Sequence, residues 1–409
     1  MIDPRLARVI VEHDVASTPI ASAVRWNARG IEVVQAPPGG LDEALRRVSL
    51  SEGKRTLVLK RYQGQPFKKC QGLKREYACC NLHTFAEANG CAMECTYCIL
   101  LYYLTSPHLT VFANLEELQA EIARALAAQP RRIFRIGTGE LSDSLLLDPL
   151  TESTRHMVPF FRRLANGVLE LKTKTDNVEN LLDLDHGERT VVSWSVNPPS
   201  VVAGEELQTA TLDHRLDAAR RVAGRGYPVG FHLDPMVHHE GWAGAYGQLI
   251  DAIADAVPAE RIAWISLGTL RFPPEMKAAM EARYPRSGLL LGELVRADDH
   301  KLRYPRPLRI EMYRLVVERL RARFEGCRSA PIVYLCMEPP DVWKRVFREP
   351  APSNATLEHR FAECYCRRFA RGTLPEPVIE AYGDRDAVCG SADLVPVESV
   401  RLLHAVESS

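Results

Sequence analysis

The chain lacks a net charge: its 52 lysines and arginines are balanced by 52 aspartates and glutamates over 409 residues. No global field therefore draws it to nucleic acid or a membrane surface, although local basic stretches remain as binding faces. It also lacks any uninterrupted apolar run approaching the roughly 20 residues that span a bilayer, which argues against a membrane partner. The opening stretch, Met1 to Val11, mixes charges with apolar side chains and does not read as a secretory leader. No low-complexity tract or internal repeat stands out. Cysteine, by contrast, is plentiful, with eleven residues. Without a leader, that number predicts a reducing, cytoplasmic setting in which thiols stay available for metal. The length allows two ordinary domains or one barrel with additions, and a large core.

Three of the cysteines are grouped: Cys91, Cys95 and Cys98, with Tyr97 immediately before the last. Protein iron–sulfur clusters usually take four cysteines, and structural zinc sites take four closed ligands. A tight group of three therefore implies a missing ligand or a deliberate vacancy. Three thiolates can hold three irons of a [4Fe-4S] cluster and leave the fourth open to chemistry. The alternative is a zinc knot in which Cys79 or Cys80 joins Cys95 and Cys98, leaving Cys91 idle. Of the other cysteines, Cys70, Cys79 and Cys80 could flank an active site. Cys336 and the group Cys364, Cys366 and Cys389 could supply a further thiol or bind a second metal. The plain alternative for all of them, Cys327 included, is a buried reduced thiol.

Past these cysteines, short apolar runs alternate with segments of helical periodicity, the pattern of a parallel sheet covered by helices. The predicted strands are Ile133–Ile136, Val168–Lys172, Val191–Val196, Val229–Leu233, Ile262–Leu267 and Ile332–Met337. One helix between them carries Leu115, Leu118, Ile122 and Leu126 at helical spacing; another, around His214 to Ala223, stops at Gly224 and Gly226. The fold expected is α/β, a partial (β/α)6 TIM-like barrel with small N- and C-terminal additions. The units are 1–55, an α/β addition; 56–340, the barrel with its cysteine loop; and 341–409, a C-terminal extension of unread function.

In βα architectures the loops after the strands gather at one face and carry the active site. Here the strand ends are polar: Gly137-Thr138-Gly139-Glu140 followed by Ser142 and Asp143, then Lys172-Thr173-Lys174, then Ser193, Ser195 and Asn197, then His232, Asp234, His238, His239 and Glu240. The cysteine spacing, with its aromatic before the third thiol, resembles the cluster motif of the radical S-adenosylmethionine (SAM) superfamily. That resemblance implies SAM chelated at the open iron, an external electron donor of the flavodoxin or ferredoxin kind, and an adenosyl radical that abstracts hydrogen. A zwitterionic methionine needs a carboxylate near its ammonium and a cation near its carboxylate, and the ribose needs acceptors. Glu140, Lys174 and Asp143 meet these needs in turn, with Ser142 and Ser195 as further polar contacts, and Gly137 and Gly139 let backbone approach a ligand closely. The alternative for Glu140 and Lys174 is a structural ion pair.

From about Thr56 to Phe324 the chain resembles more specifically the spore photoproduct lyase family. The matching stretches are the cysteine motif, Ser142-Asp143, Thr173-Lys174 with Val178 and Leu181-Leu182, Ser195-Val196-Asn197, Asp213 through Ala223 ending in Gly226-Tyr227-Pro228, and His239-Glu240-Gly241-Trp242. The resemblance implies a partial barrel, a cluster, SAM, and a founding activity that splits a thymine dimer in DNA. By it, Cys91, Cys95 and Cys98 ligate the cluster, Ser142, Asp143, Lys174 and Ser195 hold SAM, and Tyr97 packs beside it. Two departures bear on the substrate. Where the lyases carry a hydrogen-donating cysteine two residues before the Ser-Asp pair, this chain has Glu140, and a tyrosine after the third cluster cysteine is Ile99. Glu140 also makes Gly137-Thr138-Gly139-Glu140 resemble the glycine-glycine-glutamate motif that binds the SAM amine elsewhere in the superfamily.

Nucleic-acid contact would rest on two basic segments, Lys60, Arg61, Lys68, Lys69, Lys74 and Arg75, and then Lys301, Arg303, Arg306, Arg309 and Arg314 interleaved with Tyr304 and Tyr313. Cations could meet phosphates and tyrosines stack on bases. The second segment falls where the lyases use a DNA-binding hairpin, but Pro305 and Pro307 would interrupt strand pairing; the plain alternative is a charged loop leading into a helix over Leu308–Phe324. The resulting expectation is a cytoplasmic radical SAM enzyme acting on an organic substrate such as a pyrimidine lesion in DNA. The alternatives are an unrelated metabolite or peptide as substrate, or a non-enzymatic metal-containing nucleic-acid-binding protein.

Overall fold

The computed structural model describes residues 6–46, 48, 50–70, 77–104, 106–327, 329–370 and 372–383. Lys74, Arg75 and Cys389, each given a sequence-based reading above, lie outside the described residues, as does the C-terminal extension from 384 onward.

The large sheet is a curled run of parallel strands: β1 (His83–Phe85), β2 (Phe134–Gly137), β3 (Gly167–Thr173), β4 (Thr190–Ser195), β5 (Val229–Met236), β6 (Ile262–Thr269) and β7 (Ile332–Leu335), adjacent in that order. Phe67–Lys69 adds an antiparallel edge beside β1. The six strands expected from sequence are β2 to β7, because strands covered on both faces are written as near-continuous apolar runs. β1 carries only three residues, too few for any periodicity to mark. β7 stops at Leu335, and Met337 takes a left-handed φ of 55°.

Between the strands, the helix Leu115–Ala127 buries Leu115, Leu118, Ile122 and Leu126, the four residues its spacing picked out. The helix Leu212–Gly224 starts on the side chain of Thr211, which accepts from the His214 amide. Among the described residues, no helix is long and apolar enough to cross a membrane.

A second sheet aligns Glu32–Gln35, Arg8–Val11, Thr56–Lys60 and Leu109–Phe112 in parallel, with Ala88–Asn89 antiparallel on its edge. Its last two members come from either side of the cysteine loop, so that loop is framed by both sheets.

The helix Asn354–Arg368 closes the N-terminal end of the barrel. Phe361 sets its ring edge-on to Tyr334 at 4.9 Å and to Trp264 at 6.0 Å. Glu358 pairs with Arg132 just before β2, and Tyr365 donates to the carbonyl of Glu188 just before β4. Across the seam between β1 and β7, where a complete barrel would have more strands, runs Tyr77–Leu82. It is held by one antiparallel bridge, Ala78 to Glu338, and by side chains of the closing helix, with the Cys79 amide donating to Asn354 Oδ1 at 2.7 Å and Asn81 Nδ2 to Glu358 at 2.9 Å.

Candidate active site at the mouth of the half-barrel

The cysteine loop leaves the C-terminal end of β1 and is fixed from several sides. The Gly90 amide donates to Leu141 at 2.8 Å, Lys54 Nζ to the Met93 carbonyl at 2.8 Å, and the Thr96 amide to Glu205 at 2.9 Å. Cys95 pairs antiparallel with Glu206. The thiols of Cys91, Cys95 and Cys98 lie within electrostatic reach of one another, and burial pushes each of them up, Cys95 to about 12. Such a group stays protonated until a metal takes the protons' place. Cys79 and Cys80 face elsewhere, toward Cys336, Arg135 and Glu170. Among the described residues no three Cys, His, Asp or Glu side chains form a ready single-ion site. The zinc-knot alternative thus loses its fourth ligand, while a three-thiol set remains for a multi-iron cluster.

Beside this loop sits a charge cluster of which the sequence marked Lys174, Tyr97 and Asn197 but not Glu206 or Arg215. Lys174, just past β3, places its ammonium 5.7 Å from the centroid of the Tyr97 ring. The Tyr97 hydroxyl donates to Glu206, which also accepts from Asn197 Nδ2 at 2.9 Å and Arg215 Nη1 at 2.6 Å. Glu206 and Arg215 are wholly buried. Arg215 is further spent on the carbonyls of Ser195 and Ala210 and the hydroxyl of Thr209. Burial opposes the Lys174 charge, but Glu206, then Cys95, more than offset it, and its pKa is raised. Burial opposes the Glu206 charge too, and Lys174 and Arg215 outweigh it to hold that carboxylate below its ordinary range. A fixed ammonium therefore stands beside the cysteine loop. Glu206 escaped notice because it sits on a two-residue strand and its partners come from other elements.

The loop after β2 is a tight turn pinned to β3. Asp143 accepts from the amides of Leu145, Leu146 and Lys174 and from the Thr173 hydroxyl, at 2.7–3.0 Å. Burial raises it despite these bonds. Asp143 thus orders the turn and the start of the Lys174 segment. Ser142 Oγ donates to the Asp143 carbonyl at 3.2 Å. At Gly139, an added Cβ would lie 3.1 Å from Ser144 Oγ and 3.2 Å from the Lys172 carbonyl, so its close approach is to β3 itself; at Gly137 the nearest neighbour would be Leu82, at 3.5 Å. Glu140 is partly exposed on this turn, and its charge acts on Tyr103, beyond the cysteine loop. Ser195 is buried at the end of β4.

Inside the barrel, Glu170 Oε1 accepts from Ser193, His232 and Trp264, each at 2.8 Å. Gly230 makes this convergence possible, since a Cβ there would fall 2.3 Å from Ser193 Oγ and 2.8 Å from Trp264 Nε1. The polar run after β5 therefore divides. His232 joins Glu170, Asp234 pairs with both terminal nitrogens of Arg271, His238 packs near Trp242 and Tyr304, and His239 accompanies the Glu240 carbonyl.

The second basic segment corrects its reading. Arg303 and Arg309 are buried on Glu338 and Asp299, Tyr304 and Tyr313 are buried with them, and Tyr313 donates to Glu338. An acidic residue buried just past β7 turns these two cations inward, so Arg303 and Arg309 offer no phosphate contacts and Tyr304 and Tyr313 no stacking faces, while Arg306 and Arg314 of the same segment stay exposed. Strand pairing survives the prolines by ending before them: Leu302–Arg303 pairs with Arg271–Phe272 and Val295–Arg296, and Pro305 caps the helix Arg306–Arg323. Cys364 and Cys366 lie on the helix at the opposite end of the barrel from the cysteine loop.

The model of the family described as spore photoproduct lyase matches residues 44–308. The chain belongs to the spore photoproduct lyase family. Its relatives include spore photoproduct lyase of Geobacillus sp. (strain Y412MC61), 33% identical over 209 residues, or 50% of this chain and 61% of that one. That of Bacillus subtilis (strain 168) is 31% identical over 220 residues, 53% and 63% of the respective chains. The aligned stretch thus spans about three fifths of either relative. A solved spore photoproduct lyase mutant with bound AdoMet and dinucleoside spore photoproduct superposes at a TM-score of 0.70 with 25% identity, covering 82% of this chain and 98% of that one. The family's half-barrel is the curled sheet described above.

Proposed function

We propose that this family member is a cytoplasmic radical SAM enzyme that abstracts hydrogen from an organic substrate. The observation that carries the reading is the three-thiol loop at the mouth of the half-barrel with the fixed Lys174 ammonium beside it. Cys91, Cys95 and Cys98 are the residues that would hold a [4Fe-4S] cluster. When bound, the cluster supplies the electron, delivered by a flavodoxin- or ferredoxin-like donor, that cleaves SAM and yields the adenosyl radical. Lys174 answers the SAM carboxylate and Glu140 its ammonium. Ser142 and Ser195 add polar contacts, and Gly137 and Gly139 with Asp143 shape the turn that presents them. Tyr97, tied to Glu206, forms a wall beside the ligand.

For substrate, a solved relative complexed with dinucleoside spore photoproduct supports a pyrimidine lesion in DNA. Glu140 stands where the lyases are read to carry their donor thiol, and a carboxylic O–H is a poor hydrogen-atom source. The product radical would therefore be quenched differently here. The inward turn of Arg303, Tyr304, Arg309 and Tyr313 favours a second substrate reading, a small metabolite or peptide, since it takes these four side chains out of reach of DNA.

The deciding experiment measures 5'-deoxyadenosine from anaerobically reconstituted protein with SAM and a strong reductant, beside a variant with Cys91, Cys95 and Cys98 all changed to Ala. Product from the wild type alone is expected; none from a protein with an intact cluster counts against the reading. Adding DNA that carries the thymine lesion then separates the substrates: lesion loss supports repair, and its absence favours the small substrate.

A further inference from the structure

The seam of the half-barrel holds thiols that the proposed reaction does not use. Ala78 and Glu338 form its one antiparallel bridge. Cys80 lies two residues on from Ala78 and Cys336 two residues back from Glu338, so the two thiols flank this bridge, near enough for the charge of one to act on the other. The left-handed Met337 ends the ladder between them. Both cysteines are free and partly exposed to the interior.

Arg135 on β2 stands beside Cys80. Its guanidinium, nine-tenths buried, lies 4.3 Å from the Phe361 ring centroid and 4.9 Å from that of Trp264. Nε and Nη1 find no hydrogen-bond partner among the described residues. The nearest carboxylate, Glu170, is 3.9 Å away and already shared among three donors on its other oxygen. A buried cation in this position needs a further negative charge, and the neighbouring sulfur of Cys80 can supply it.

We propose that Cys80 rests as a thiolate paired with Arg135 and forms, with Cys336, a redox-active thiol pair across the seam. The inference is independent of the radical chemistry. A hydrogen bond from Cys79, together with the charge of Arg135, pulls the Cys80 thiol down to about 5 against the effect of burial. Cys336 is its opposite: burial and Asp234 keep it protonated, and Arg271 Nη2 lies 3.3 Å from its sulfur. The titratable groups that face Cys80 are Cys79 on its own segment, Arg135 on β2, Glu170 on β3, Tyr334 on β7 and Cys336 just past it.

Such a pair reacts with a peroxide in two steps. The Cys80 thiolate attacks one oxygen, the O–O bond breaks, and the departing hydroxide takes a proton to leave as water, giving a sulfenic acid. The Cys336 sulfur then attacks Cys80, an S–S bond forms, and its proton leaves with the sulfenic hydroxyl as a second water. The two thiols lose two electrons and the peroxide gains them.

The test uses the full-length, anaerobically prepared holoprotein. Pulses of iodoacetamide from about pH 6 to about pH 8, read by peptide mass spectrometry, should alkylate Cys80 at a rate that changes less than about twofold. The rate at Cys336 should climb by about tenfold per pH unit, as an ordinary thiol does below its pKa. Hydrogen peroxide at one equivalent, followed by thiol blocking and non-reducing digestion, should yield a Cys80–Cys336 peptide, which Cys336→Ser abolishes and Cys79→Ser leaves in place. A Cys80 rate that rises with pH like that of Cys336 overturns the thiolate, and a Cys79–Cys80 disulfide in place of the cross-seam one overturns the pair.

Discussion

Glu170 concentrates the energetics of the barrel interior in one side chain. Burial alone would raise its pKa, yet His232 first and then Arg135 and the Ser193 hydroxyl hold it well below the ordinary carboxylate value of 4.5. Between the depressed folded value and 4.5 the unfolded chain binds the proton and the folded one does not, so stability rises with pH across that interval. The contribution is fully present above about pH 4.5 and is lost as the pH falls through the folded value. Glu170→Gln keeps the shape but removes the charge that three donors and Arg135 converge on. Breaking a buried charge arrangement in this way costs about 3–5 kcal/mol. Urea unfolding of wild type and variant at about pH 6 should show a gap of that order, narrowing at about pH 3.5; a gap that stays constant in acid would mean that the Glu170 charge contributes little.

Among the elements, the helix Asn354–Arg368 does work at the end of the barrel opposite the cysteine loop. Phe361 is its centre, packed on Tyr334 and Trp264 and under the Arg135 guanidinium. Phe361→Ala should destabilise the protein by about 3–5 kcal/mol, as truncation of a buried aromatic does. The measurement is a lower urea midpoint with an unchanged slope, since the exposed area on unfolding hardly alters; a shift below about 1 kcal/mol would show the helix to be a dispensable lid. None of this was legible in sequence, because the partners of Phe361 come from strands nearly a hundred and some thirty residues away. The strands themselves were legible: β3, β4 and β6 are written in Val, Ile, Leu and Trp because both their faces are covered. The site divided along the same line. Cys91, Cys95 and Cys98, Lys174 and the turn after β2 stood out through spacing and position at strand ends. Glu206, the carboxylate that favours the Lys174 charge, and its buried partner Arg215 did not, and the basic run at Arg303 and Arg309 misled because Glu338, their counter-charge, is remote in sequence.

For the molecule as a whole, the placement of the cysteine loop decides whether the metal site and the fold stand or fall together. Small metal domains unfold when the metal leaves, since binding energy is folding energy there. This chain instead holds its loop by protein contacts: the Ala88–Asn89 edge pairing, the Cys95–Glu206 pairing, the Gly90 and Thr96 amide bonds and Lys54 on the Met93 carbonyl. The barrel core and the helix that closes it lie away from the loop. Removing iron with a chelator under anaerobic conditions should therefore abolish 5'-deoxyadenosine formation while leaving the far-ultraviolet circular dichroism and the cooperative unfolding midpoint nearly unchanged. Re-adding iron and sulfide should restore activity without a refolding step. Loss of cooperative unfolding on chelation would instead make the cluster a structural support, and the contacts that frame the loop would then be too weak to hold it alone.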